Sequence, residues 1–198
     1  MAEKILVVHA AALRQLIAFE YFKALPAEEI ERLHGAIEVV AMDRDLAGSD
    51  PGCKQLVTYT AVHYNYSWLT HLPGGALDQA GQRTRRALGV GAPLLASDRE
   101  VVFLDQELQA AAARAVDSTF TFGDRFELRL AGLLDNDDDE ASRPYLGLVY
   151  VARLLRPGAS ACAEGIAQVR FFGNGELQMQ RDEFDPWSQI LIDNLPAF

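Results

Sequence analysis

Only two of the 198 residues are cysteine, Cys53 and Cys162, and neither belongs to a CxxC pair or a Cys/His spacing. A disulfide framework and a zinc site have no support, so reduced thiols and a cytoplasmic location are expected. No segment approaches the roughly 20 apolar residues of a membrane-spanning helix, so no membrane partner is expected. The apolar run Ile5-Leu-Val-Val8 is short and lies among Glu3, His9 and Arg14, which marks it as a strand and not a signal peptide. Positive charge is also scarce: 18 Lys and Arg against 28 Asp and Glu give a formal charge of -10. Nucleic acid is therefore not an expected partner, because its phosphates must be neutralised by Lys and Arg. GxSxG and Walker sequences are absent, and His9, His34, His63 and His71 have no metal-ligand spacing.

What is present suits one hydrophobic core: 49% of residues are hydrophobic and 23% charged. A single domain over 1–198 is expected, with an N-terminal α/β elaboration at 1–50 and a core at 51–198. The first part reads as a strand at 5–8, a helix from Ala10 to about Phe22, a helix from Ala27 to His34 and a strand at 37–42. The stretch 43–52 reads as a turn-rich connector. Strands follow at 55–63 and 66–70, then a loop from His71 to Gly91. Further strands are expected at 125–134 and 145–155 around the acidic turn 135–140, and at 166–172 before a turn at 173–175. A final helix over 185–195 opens with Asp185 as N-cap and Pro186 as its first residue.

The middle of the chain carries the candidate site. Leu104 to Phe120 form an amphipathic helix, with Leu104, Leu108, Ala111, Ala115 and Thr119 on a common face. It follows Gly89-Val90-Gly91-Ala92, and a glycine-rich turn feeding a helix often builds a phosphate or metal site. Yet the helix offers Arg114 and very few carboxylates, where a divalent ion needs several hard oxygens. Arg83, Arg85 and Arg86 form a basic cluster that could hold a ligand's phosphates or simply be solvated. Glu107 and Arg114, two turns apart, could orient a ligand, while Arg114 and Asp117 could equally form a surface pair.

Other features have plainer readings. The run Asp135-Asn-Asp-Asp-Asp-Glu140 resembles a calcium loop in its alternating acids, but Glu140 and Leu146 replace the glycine and glutamate such a loop requires, so it reads as a solvated hairpin tip. Tyr64, Tyr66 and Trp68 alternate and are expected on one face, as a stacking wall or as core or dimer packing. Trp187 reads as an anchor for the last helix.

Asp50-Pro-Gly-Cys-Lys-Gln55, Tyr145-Leu-Gly-Leu-Val-Tyr150 and Trp187-Ser-Gln-Ile-Leu-Ile192, together with Ile5-Leu-Val-Val8, resemble in order and spacing a family of predicted phosphoesterases within the Nudix superfamily. The resemblance spans nearly the whole chain. It implies an α/β/α sandwich around a mixed sheet, and a catalytic box whose helix carboxylates hold magnesium and help activate water. Carried onto this chain, Ala92 stands at the box glycine, Arg114 at the arginine and Val116 at the hydrophobic position. Ala115, Ser118 and Thr119 stand at three glutamates, and Asp98 falls near an earlier one. At about 100° per residue these three positions share an arc about 100° wide, so three acids there could converge on one cation. Ala, Ser and Thr cannot supply that charge.

The sequence therefore implies a Nudix-fold protein that has lost metal-dependent hydrolysis, with no cofactor and with a cleft for a phosphorylated or nucleotide-like small molecule. Its candidate ligand-binding residues are Arg85, Arg86, Asp98, Glu107 and Arg114. Two alternatives stay open: a magnesium-dependent hydrolase of nucleoside diphosphate derivatives using displaced acids (Asp98, Asp105, Glu107 or Asp117), and a homodimeric interaction module.

Overall fold

Residues 3–33, 36–74, 84–98 and 106–197 are described by the structure, a computed structural model. The N-terminal region forms β1 (Lys4–His9), α1 (Ala10–Leu16), β2 (Tyr21–Ala24), α2 (Ala27–Leu33), β3 (Val39–Asp43) and α3 (Arg44–Ser49). Next come β4 (Cys53–Tyr64), β5 (Ser67–Leu72), β6 (Gly89–Pro93) and the central helix α4 (Gln106–Thr119). Then follow β7 (Phe120–Phe122), β8 (Phe126–Asp135), β9 (Tyr145–Leu154), β10 (Ala159–Ala161) and β11 (Ala167–Gly173), with α5 (Asn174–Met179) and α6 (Pro186–Asp193) after them.

The near-continuous apolar strands β4 and β9 sit at the centre, paired in parallel from Gln55 opposite Tyr145 to His63 opposite Arg153. Parallel pairs need cover on both faces, which is why neither strand alternates cleanly between apolar and polar residues. The nine-stranded mixed sheet runs β11-β5-β4-β9-β8-β2, with β6 and β1 also on β4 and β3 on β1. One face packs Leu13 of α1, Leu33 of α2 and Leu108 and Ala112 of α4 against Leu56, Leu148 and Tyr150. The other packs Leu177 of α5 and Trp187, Leu191 and Ile192 of α6 against Val57, Tyr59, Val149 and Val151. The architecture is an α/β/α sandwich. Trp187 anchors α6 as its position suggested: it packs in the α6-side cluster, and a Cβ at Gly147 would lie 3.0 Å from its ring, tighter than ordinary contact.

The first fifty residues join this sheet through β1 on β4 and β2 on β8. The first helix stops at Leu16, well short of Phe22, because the chain turns into β2 at Tyr21, a non-glycine residue at φ 62. The turn-rich connector contains α3, which buries Ala47 beside Ile5, Val7 and Cys53. Gly173 caps α5 instead of forming a free turn with Asn174 and Gly175. No described helix is long and apolar enough to cross a membrane.

Candidate functional site

Leu108, Ala111, Ala112, Ala115 and Val116 bury one face of α4, as its periodicity required. Ala115 and Val116 join a cluster with Val62, Leu69, Val90, Phe120, Ala152 and Leu154. Ser118 Oγ and Thr119 Oγ1 both donate to the Ala115 carbonyl, at 2.9 and 2.8 Å. Such i−3 and i−4 bonds are the habitual use of a helix hydroxyl and turn it inward along its own turn. The carbonyls that end the helix are occupied too. The Cys162 and Ala163 amides donate to Thr119 O, and the Cys162 thiol reaches the Asp117 and Ser118 carbonyls at 3.4 and 3.3 Å.

Beside α4, the Gly89-Val90-Gly91-Ala92 segment is a strand of the sheet and not a turn, pairing antiparallel with β4 from Ala61 to Val57. Its first glycine answers to packing: a Cβ at Gly89 would lie 2.5 Å from the Tyr59 ring. Val90 and Ala92 turn into the same apolar cluster as Ala115. On the other side of the sheet a buried polar chain holds this strand. Ser188 Oγ donates to Asp185 Oδ2 at 2.6 Å and accepts from Leu88 N–H at 2.8 Å, while Gly89 N–H donates to the Tyr59 hydroxyl. Asp185 also accepts from Ser188 N–H as the α6 N-cap, and burial pushes its carboxyl up.

The arrangement matches solved structures. Tm1382, a candidate Nudix hydrolase, superposes with a TM-score of 0.78 at 21% identity, covering 98% of each chain. The chain has the Nudix fold. A Nudix hydrolase from Nitrosomonas europaea matches at TM-score 0.52 and 14% identity over 73% of this chain and 89% of its own. DR0079 from Deinococcus radiodurans matches at 0.51 and 13% over 88% and 98%. No protein-family model and no curated protein matches the sequence.

The sequence resemblance puts the box on α4, and the residues there do not fit a magnesium ion. Ala115 is 7% exposed and belongs to an apolar cluster, and the two hydroxyls of Ser118 and Thr119 are neutral and already donate to the helix backbone. A hard cation that keeps several waters needs at least one or two carboxylates in that position. No group of three or more His, Cys, Asp and Glu side chains that could hold a metal occurs among the described residues.

Of the five sequence-derived ligand residues, Arg86 and Arg114 lie on opposite sides of the sheet. Arg85 is exposed before β6, and Arg114 is exposed on α4. Arg86 is buried on the opposite face of the sheet from α4, donating to Thr70 Oγ1 and to both oxygens of Gln168 and lying over Phe172. Asp98 ends a short 3-10 turn at 96–98 and Glu107 lies in the first turn of α4, but their side chains, with Arg83, Asp105 and His34, lie outside the described residues.

The acidic tip is not merely solvated. The Lys54 ammonium, buried in β4, is paired with Asp135 and with Asp137 Oδ1 at 2.6 Å, and Arg14 and Tyr21 of the N-terminal region bind Asp137 and Asp138. The aromatic hairpin also splits. Tyr66 is 87% exposed, Tyr64 packs on the α4 side, and Trp68 packs on the α6 side with its Nε1 donating to Asn174. Sequence reasoning missed Lys54, the Tyr59–Ser188–Asp185 chain and the partners of Arg86. Each joins residues far apart in the chain, and a lysine amid a buried strand was the one available signal.

Proposed function

We propose that the protein uses the Nudix fold to bind a phosphorylated or nucleotide-like small molecule and does not carry out metal-dependent hydrolysis from α4. The observation that supports this is Ala115, packed into an apolar cluster at the place of a metal-binding acid, with Ser118 and Thr119 bonded to its own carbonyl. Restoring an ion there would require carboxylates from elsewhere to displace those contacts.

Titration calorimetry with manganese and magnesium, paired with phosphate release from nucleotide sugars and dinucleoside polyphosphates, tests the catalytic half. No saturable metal heat and no metal-dependent release are expected. Tight manganese binding lost in Asp98→Asn or Glu107→Gln would instead establish a hydrolase with displaced ligands. Thermal shift without metal tests the binding half, since a ligand that binds only the folded state raises Tm. Stabilisation by a nucleotide is expected, whereas a stable oligomer in light scattering with no such stabilisation would replace ligand binding by an interaction role.

A further inference from the structure

Arg86 and Arg170 both face the Phe172 ring on the α5–α6 side of the sheet, each with its guanidinium carbon 5.1 Å from the ring centroid. Arg86 is 7% exposed, and among the described residues every hydrogen bond of its guanidinium goes to an uncharged oxygen. Nη1 donates to Thr70 Oγ1 at 3.2 Å and to Gln168 O at 3.1 Å, and Nη2 donates to Gln168 Oε1 at 2.7 Å. The backbone is shaped for this. Gln168 stands at φ 49 in an irregularity of β11 between Ala167 and Arg170, a device that re-aims a side chain at a cost in local strain. A cage of neutral oxygens thus fixes the guanidinium without cancelling its charge.

Among the described residues Arg86 makes no ion pair, and isolated buried charges are costly enough that proteins ordinarily pair them. Burial and then the positive charge of Arg170 hold Arg86 below its ordinary pKa, while Glu183 and Glu176 act on it more weakly in the other direction. Glu176 lies 3.8 Å from Arg170, a long contact to a side chain that is 61% exposed. A guanidinium has five N–H groups, and the described partners take both hydrogens of Nη1 and one of Nη2. Among the described residues nothing accepts from Nε and one acceptor meets Nη2, so two N–H groups are left to donate to an oxyanion.

We propose that Arg86 and Arg170 form a phosphate-binding site for a small phosphorylated molecule, on the face of the sheet away from α4. Two guanidinium charges with N–H groups to spare match a phosphate dianion better than a single carboxylate. The site deepens the binding half of the proposed function and rests on it only for the class of ligand, since its residues are separate from the Nudix helix.

Calorimetry of the full chain with inorganic phosphate, pyrophosphate and acetate at matched ionic strength tests it, with Arg170→Gln and Arg156→Gln as variants. Saturable phosphate or pyrophosphate binding that acetate does not reproduce is expected. Arg170→Gln, an exposed substitution that keeps the melting temperature, should weaken binding by about tenfold, the loss of one charge-assisted contact. Arg156→Gln removes an exposed charge paired with Asp124 elsewhere and should leave the affinity unchanged. No saturable phosphate heat in the wild type, equal binding of acetate, or equal affinities in wild type and Arg170→Gln would each overturn the site. Equal losses in both variants would show diffuse charge attraction and overturn it too. None of these results bears on metal-dependent hydrolysis, so the two inferences fail separately.

Discussion

The Tyr59 hydroxyl lies 2.9 Å from Ser188 Oγ, and this contact ties the central strand β4 to the first turn of α6. Its direction is fixed by what surrounds it. Ser188 gives its only hydroxyl proton to Asp185, so it must accept from Tyr59, and Gly89 N–H then donates to the Tyr59 oxygen. The start of β6, which packs against α4, is therefore set by a relay on the other side of the sheet.

Ser188→Ala breaks that relay at its centre. Leu88 N–H loses its acceptor, Asp185 loses a donor to a buried carboxyl, and Tyr59 is left with Gly89 alone. Leaving buried polar groups unpaired costs about 1–3 kcal/mol for each such loss, so a destabilisation of about 3 kcal/mol is expected by urea unfolding. Tyr59→Phe, which removes only the outer link, should cost roughly half as much. Equal and small effects for the two variants would contradict the relay.

The apolar surroundings of α4 can be tested by placing acids on it one at a time. Ala115→Glu places a carboxylate among Val90, Val116 and Leu154, where burying an unpaired charge should cost about 2–4 kcal/mol. Ser118 is exposed, and Ser118→Glu should shift stability by less than about 0.5 kcal/mol. Thermal melts of the two variants decide it. If Ala115→Glu melts with the wild type, position 115 opens onto water and the metal argument loses its basis.

Much of this was legible in the chain. The apolar runs of β4 and β9 required burial on both faces, and the period of α4 placed Ala111 and Ala115 in the core. Asp185-Pro186 marked the start of α6, with Ser188 N–H donating to Asp185. What failed did so for local reasons. Glycine at 89 and 173 read as turn chemistry, whereas Gly89 is demanded by the Tyr59 ring thirty residues earlier and Gly173 merely precedes a helix. The polar stretch before Cys53 hid α3, which is stabilised by burying Ala47 and not by its own propensity. Arg86 and Arg114 both counted as ligand candidates, but the sheet separates them.

Lys54 is the buried cation that holds the acidic tip to β4. Its side chain is 4% exposed, against 15% for Asp135 and 45% for Asp137. Burial raises the Asp135 carboxyl even with Lys54 beside it, so removing the lysine strands a charge. Lys54→Met should cost about 3–5 kcal/mol, whereas Asp137→Asn, half in water, should cost less than about 1 kcal/mol. The double variant Lys54→Met with Asp135→Leu should recover most of the loss, because an apolar pair of similar volume avoids the desolvation of two ions. Denaturant midpoints of the three variants check this, and a double variant no better than Lys54→Met would show that the pair itself stabilises the fold.

His71 makes the fold sensitive to acid. Its ring is 4% exposed, stands edge-on to Phe120 with centroids 5.2 Å apart, and is pushed down to about 4 by burial first and the Arg86 charge second. In the unfolded chain the imidazole takes up a proton near pH 6.5, about the ordinary value. A base whose pKa is depressed on folding contributes stability that is complete above the unfolded value and lost as pH falls toward the folded one. Over the window from about 6.5 to about 4 the loss is of the order of 3 kcal/mol, added to whatever the carboxylates contribute. His71→Phe keeps an aromatic ring against Phe120 and removes the titration, so its unfolding free energy should fall less steeply than the wild type's between about pH 7 and about pH 4.5. Parallel pH profiles for the two proteins would mean that His71 accepts a proton in the folded state and that its burial against Phe120 is relieved in acid.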